Sequence, residues 1–332
     1  MAHKKSTVEN LGLNYASQKI LVTGGAGFIG SHLTQALINQ HARVVVYDST
    51  FLPRSYFQTQ LLRSHSQVIK ADVRNFQILE RIVKKYKIGL IFHLAAQTQV
   101  EYAYQNPRET LETNVMGTVN VLEVARINSC VKMVVMASSD KAYGKLDNRG
   151  KYKENDPLRG NQPYEVSKLS AETIAQSYIA AYQIPLAIAR FGNVYGEGDL
   201  SFNRLIPGIM KAVLLNKKFF VRSDGTYIRD YIYVGDAVTG YLLLGSRKYK
   251  ISGEIFNFGS LDTYSVKEVI AIAQQTLTEK INFVIQNRIS GEIPYQSLDF
   301  SKAKKILGWK PKSRLAATIP SIFTWYQKYF ST

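Results

Sequence analysis

From Lys19 onward, short apolar runs alternate with longer amphipathic segments, and this alternation limits the fold more than any other feature. "KILVTGG" leads into "FIGSHLTQALINQH" and then "RVVVYD". "FQILERIVKKY" precedes "GLIFHLAA", "TNVMGTVNVLEVARIN" precedes "VKMVVMASS", and "PYEVSKLSAETIAQSYIAAY" precedes "PLAIARFGNVYG". Buried strands separated by helices predict a parallel sheet covered on both faces. That is a doubly wound α/β fold, whose ligands sit at the carboxyl ends of the strands. After about residue 191 the pattern loosens. "RLIPGIMKAVLLNK" and "SVKEVIAIAQQTL" read as helices with strand-like pieces between them, so a smaller C-terminal region is expected.

The chain has 332 residues, 45% hydrophobic and 20% charged, enough for a sizeable core. It contains no apolar run long enough to predict a transmembrane helix. "MAHKKSTVENLGLNYASQ" lacks the apolar stretch of a secretory signal and reads as a short arm, residues 1–18. The single cysteine, Cys130, excludes an intramolecular disulfide and reads as a small buried apolar residue. A cytoplasmic enzyme is the expectation. The net charge is +17, but lysines and arginines are scattered along the chain. We read a generally basic surface, with no nucleic-acid or membrane partner, whose positive field favours a phosphate-bearing substrate.

"VTGGAGFIG" places Gly24, Gly27 and Gly30 between the first strand and the first helix. The first permits a tight turn, the second lets a pyrophosphate approach the backbone, and the third lets helix and strand pack closely. Phe28 and Ile29 open the helix, whose N-terminal N–H groups face the phosphates. Asp48 ends the second strand, where a carboxylate accepts hydrogen bonds from ribose hydroxyls and repels a 2′-phosphate. NAD is therefore expected rather than NADP. Asp72 and Val73 in "ADVRN" are expected near the adenine, although a turn or helix-cap role for Asp72 stays open. Leu94, Ala95 and Ala96 of "HLAA" supply small residues at a strand end beneath the cofactor, while His93 reads as structural. No metal site is expected.

"PYEVSK" holds Tyr164 and Lys168 one helical turn apart on the same face. A free tyrosine titrates near pH 10. A lysine ammonium and a nicotinamide cation both favour the phenolate. Lowering the pKa by ~3 units takes about 4 kcal/mol of differential stabilisation. The tyrosinate then serves as base for a substrate hydroxyl as hydride leaves to NAD⁺.

These motifs, in order, resemble the extended short-chain dehydrogenase/reductase superfamily, the nucleotide-sugar epimerases and dehydratases. The resemblance runs from Lys19 to about Trp325 through "GGAGFIG", "HLAA", "TNVMGTVNVLE", "SSDKAYG", "YEVSK", "RFGNVYG", "RDYIYVGDAV", "NFG" and "LDFSKAKKILGWKP". It implies a Rossmann domain over residues 19–190, with 229–259 returning to it. Residues 191–228 and 260–332 are then the substrate-binding region. It implies Ser139, Tyr164 and Lys168 as the core triad, with Ser139 hydrogen-bonding the reacting oxygen and Lys168 also holding the nicotinamide ribose.

The residues after the serine carry the finer reading. In 4-epimerases of this superfamily they are usually small or apolar. In sugar 4,6-dehydratases they are an acid and a base, with Thr-Asp-Lys or Ser-Asp-Lys in the CDP-glucose enzymes. This chain has Ser139, Asp140 and Lys141. The resemblance implies a nucleotide-sugar 4,6-dehydratase in which Asp140 is the general acid, with a raised pKa. Lys141 is either the C5 base or an electrostatic stabiliser. A 4-epimerase using the same Ser-Tyr-Lys core is the alternative. Asn193 is expected to donate to the substrate diphosphate, and Arg229 and Arg288 to grip its phosphates with their forked donors. Tyr195 reads equally as pocket or packing, and Trp309 as a core anchor. The segment "RDYIYV" departs from the Arg-Pro-Trp-type segment usual in CDP-glucose dehydratases, leaving GDP-, UDP- and dTDP-sugars open. Relatives often pair through a four-helix bundle, so a homodimer through helices beginning near Asn114 and Tyr164 is expected.

Overall fold

The computed structural model describes residues 12–145, 150–246, 251–288 and 293–331. Most of the expected N-terminal arm, residues 1–11, lies outside the described residues. The strands in chain order are β1 (Lys19–Thr23), β2 (Arg43–Asp48), β3 (Gln67–Lys70), β4 (Leu90–His93), β5 (Met133–Ser139), β6 (Leu186–Phe191) and β7 (Asn193–Tyr195). They continue as β8 (Phe219–Val221), β9 (Ile228–Tyr233), β10 (Ile255–Phe258), β11 (Thr263–Ser265), β12 (Phe283–Ile285) and β13 (Tyr295–Gln296). The α-helices are α1 (Phe28–Asn39), α2 (Tyr56–Thr59), α3 (Phe76–Tyr86), α4 (Val100–Gln105), α5 (Pro107–Leu111) and α6 (Gly117–Ile127). They continue as α7 (Pro163–Tyr182), α8 (Leu205–Leu214), α9 (Val234–Ser246), α10 (Val266–Leu277), α11 (Ser301–Leu307) and α12 (Leu315–Ser331).

Seven strands form one parallel sheet in the order β10-β6-β5-β4-β1-β2-β3. Alternate residues of each strand face opposite sides, so each strand feeds two cores. Ile20, Val22, Phe92 and Val135 pack with α1 and α9. Leu21, Ile91, Val134 and Ile188 pack with α3, α6 and α7. This is the doubly wound architecture expected from the alternation. Strand order reverses between β1 and β4, which opens a crevice at their carboxyl ends.

Local chemistry sets the helix starts. Asn75 accepts from the Ile78 N–H at 3.0 Å to begin α3. Glu165 reaches back to the Asn161 and Gln162 N–H groups, and Pro163 occupies the first position of α7. Helix α9 has no polar face to reveal it. It is buried nearly throughout, beside α1 and the sheet, so its sequence lacks an amphipathic period.

The apolar run "PLAIARFGNVYG" divides at Gly192. Strand β6 joins the large sheet, whereas β7 pairs with β9 in a small sheet ordered β11-β9-β13. A Cβ at Gly192 would stand 3.0 Å from the Asp230 Cβ, so glycine lets β7 lie against β9. A third core, with Ile206, Met210, Tyr231, Val269 and Ile322, holds α8, α10 and α12 around that sheet. Helix α9 and strand β10 return to the large sheet, while β9 stays in the small one. Buried Tyr15 donates its hydroxyl to the Leu242 carbonyl, tying the segment before β1 to α9.

Candidate active site

A cleft of about 1720 Å³ runs along the carboxyl ends of β1, β4, β5 and β6 and under the small sheet. At one end lies the glycine turn. Gly24 has φ +71°, and a Cβ there would come 2.7 Å from the Ala95 nitrogen. A Cβ at Gly30 would stand 2.0 Å from the Gly24 carbonyl oxygen, so turn and helix touch. A Cβ at Gly27 would meet only that same oxygen, at 3.3 Å, and Gly27 lines the cleft. The turn is thus packed against protein at its first and third glycines and is least crowded at the middle one. Phe28 and Ile29 in the first turn of α1 border the same space.

Asp48 accepts from the Ala26 N–H at 3.0 Å and the Thr50 N–H at 3.1 Å. Burial pushes its carboxyl up, and those backbone donors partly offset the shift. Asp72 is held by Arg74, which donates from its guanidinium at 2.7 Å and from its backbone at 2.8 Å. The Arg74 hydrogen bonds keep the Asp72 carboxyl below its ordinary range. The turn role read from the sequence is therefore present, and Asp72 still lines the cleft beside Val73. Leu94, Ala95 and Ala96 follow β4 along the cleft floor. His93 is structural: its ring bridges Thr23 at 2.8 Å and Thr118 at 3.1 Å, and burial lowers its pKa to about 3.

Strand β5 ends at Ser139, which caps a short 3-10 turn, Asp140–Tyr143, by accepting from the Lys141 N–H at 3.2 Å. The Ser139 hydroxyl donates to Asp140 at 3.0 Å and pulls the Tyr164 pKa down. Asp140 is buried, 3% exposed, and lines the cleft with Lys141. Burial raises the Asp140 pKa, against the pull of Lys141, Ser139 and Arg229. Lys141 donates from Nζ to Gln296 Oε1 at 2.6 Å.

The sequence predicts a Tyr164 phenol lowered by Lys168 and a nicotinamide cation together; in the protein by itself burial pushes it up to about 12. Ser139 and Arg204 pull it down and Asp140 pushes it up. Lys168 is itself lowered by burial to about 8 and donates to the Ala137 carbonyl at 3.2 Å. Ionising a phenol with pKa 12 at pH 7 costs roughly 7 kcal/mol. A cation beside the ring would lower that cost.

On the opposite wall, Asn193 begins β7 and Arg229 lies buried on β9, with its guanidinium over the Tyr227 ring at 5.8 Å. Arg288 is exposed at the rim, its N–H donating to the Arg222 carbonyl at 2.7 Å. Tyr195 lines the cleft and also packs, sharing a hydrogen bond with Thr318 at 2.9 Å. Trp309 donates to the Asp236 carbonyl at 3.0 Å, away from the cleft, as a core anchor. Cys130 is half-buried at the edge of the core.

Four contributors escaped sequence reading. Arg204, held by Asp199 and Thr98 at 3.2 Å each, brings positive charge to Tyr164. Asn114 ties both backbone groups of Gln97 and the Ser167 hydroxyl, bracing the segment after β4 against α7. Glu172 sits one turn beyond Lys168, and that four-residue spacing was a usable signal. It is fully buried and paired with Arg190, accepts from Ser138 at 2.8 Å and raises the Lys168 pKa. Gln296 carried no signal, being one polar residue in a short strand.

The family model described as GDP-mannose 4,6 dehydratase matches residues 21–322. The chain belongs to that family. Members differ in chemistry. A CDP-glucose 4,6-dehydratase of Salmonella typhimurium is 32% identical over 333 residues, covering 95% of this chain and 92% of the relative. A UDP-glucose 4-epimerase of Thermotoga maritima, solved with UDP-glucose, has TM-score 0.87 at 27% identity, covering 94% of this chain and all of that one. A dTDP-glucose 4,6-dehydratase of Bacillus anthracis, solved in complex with NAD, has TM-score 0.84 at 27% identity, covering 95% and 98%. Among the described residues of this family member, no helix is long and apolar enough to cross a membrane. No His, Cys, Asp or Glu group among them is arranged to hold a metal.

Proposed function

We propose that this chain is an NAD-dependent nucleotide-sugar 4,6-dehydratase, converting an NDP-hexose to an NDP-4-keto-6-deoxyhexose with loss of water. NAD is the cofactor, and the glycine turn, Asp48 and Lys168 are the groups that hold it. When bound there, NAD would supply the cation that favours the Tyr164 phenolate and the hydride chemistry at C4 and C6. Tyr164 removes the O4 proton, with Ser139 donating to that oxygen. The C4 ketone acidifies the C5 proton, which Lys141 takes. Asp140 protonates O6 as the C6–O6 bond breaks and water leaves. A proton returned to C5 completes the product. Asn193, Arg229 and Arg288 bind the diphosphate, with paired, charge-assisted bonds from the arginines.

The observation that supports this reading is the buried Asp140, whose carboxyl is shifted by burial toward the protonated form, beside Ser139 and with Lys141 bordering the same cleft. An acid that keeps its proton is what O6 departure requires. The competing reading, a 4-epimerase with the same Ser139, Tyr164 and Lys168 core, is favoured by the likeness to the Thermotoga enzyme. Incubating the purified protein with NAD and UDP-, dTDP-, GDP- and CDP-hexoses, read by mass, separates them. Loss of one water from a substrate supports the dehydratase; exclusively mass-neutral products reject it. We also place a second copy of this chain against α6 and α7. Met116, Ile127 and Tyr182 are 50%, 41% and 55% exposed there, more apolar surface than a solvated face requires.

A further inference from the structure

Gln296 lies at the end of β13, fully buried, in register with Arg229 of β9. Its amide oxygen accepts from Lys141 Nζ at 2.6 Å, and its amide nitrogen donates to the Asp140 carbonyl at 3.0 Å. Only the oxygen can take an ammonium proton and only the nitrogen can serve a carbonyl, so the orientation of the amide is set. One side chain from the small sheet thus clamps both residues of the pair that follows Ser139.

We propose that Gln296 is a positioning residue that fixes the Lys141 amine at the cleft and sets its affinity for a proton. The use of that amine at C5 rests on the dehydratase reading. A neutral amide oxygen accepts an N–H from an ammonium or an amine, so the geometry survives loss of the proton. A carboxylate in its place favours the charged form and opposes a base. An apolar residue leaves the Asp140 carbonyl without that buried donor. The charged and titratable groups facing the pair include Asp140 on the same turn, Arg229 on β9 and Tyr164 on α7.

The test uses full-length protein with NAD, as wild type, Gln296→Glu and Gln296→Leu. Trace acetic anhydride labels lysines in proportion to their neutral fraction, and mass spectrometry reads the Lys141 peptide against Lys132. We expect Gln296→Glu to slow Lys141 labelling at pH 8 by about tenfold or more, and Gln296→Leu to speed it. Identical pH profiles in all three proteins overturn the proposal. Where either variant does not fold, Gln296→Asn, which keeps the amide and shortens its reach, is read in the same way. With a turned-over NDP-hexose, Gln296→Leu should slow C5 deuterium uptake and water loss at least about tenfold while NADH forms at the wild-type rate. Equal slowing of NADH formation assigns Gln296 a general structural role and overturns the proposal. Labelling needs no turnover, so a wild type that only epimerises defeats the dehydratase reading separately from the hold of Gln296 on Lys141.

Discussion

Asp140 couples the proposed chemistry to a cost in stability. Its carboxyl holds a proton more tightly folded than unfolded, because burial disfavours the charge. Folding therefore takes up a proton, and stability falls as pH rises from the unfolded pKa through the raised folded one. Asp140→Asn removes that penalty while keeping an acceptor for Ser139. We expect it to melt about 1–2 °C above wild type at pH 7, about 1 kcal/mol, with a smaller gain at pH 4. We expect water loss to fall ~10²- to 10⁴-fold in the same variant. Thermal melts at both pH values check this; an equal gain at both refutes the burial penalty. Tyr164 poses the opposite problem: the proposed chemistry takes a proton off a group on which burial holds it. Its type and spacing were legible in the sequence. Its pKa was not, because desolvation depends on what the fold packs around the ring.

Helix α7 gathers Tyr164, Lys168 and Glu172 on one face at successive turns. Lys168 loses its proton near pH 8, and the Glu172 carboxylate raises that value. Glu172→Gln should therefore move the alkaline limb of NADH formation to lower pH, by on the order of one unit, in a pH–rate profile. An unmoved limb removes Glu172 from that role. The turn before α1 gives a second contrast. Gly30→Ala forces a Cβ onto the Gly24 carbonyl, so the fold should lose several kcal/mol, on the order of 3, and NAD binding with it. Gly27→Ala meets only the Gly24 carbonyl, at 3.3 Å, and faces the cleft, so melting should fall far less than in Gly30→Ala while calorimetry shows NAD affinity down about 10-fold or more. The glycine turn was readable because each glycine answers a local demand. The split of "PLAIARFGNVYG" at Gly192 was not, because the demand there comes from β9, far along the chain.

Across the molecule, the large sheet carries the glycine-turn half of the cleft and the small sheet carries Asn193 and Arg229 to its other wall, with Gln296 buried behind Lys141. The proposed dimer adds the α6 and α7 face. Met116→Glu with Ile127→Glu should convert a dimer to a monomer in light scattering after gel filtration, with NADH formation by each subunit still measurable. A monomeric wild type rejects the dimer.

Alternating apolar runs, the glycine turn and the Tyr164–Lys168 spacing belong to local stretches of chain. Their meaning follows from strand pleat, helix period and backbone freedom, so the sequence alone sufficed for the parallel sheet, the glycine turn and the helix that carries Tyr164 and Lys168. The partners of Asp140 and Lys141, the buried Glu172–Arg190 pair and the direction of the Tyr164 shift arise between segments far apart in the chain. Burial and pairing are properties of the packed molecule, and no periodicity in a sequence encodes which distant side chain will share a cavity.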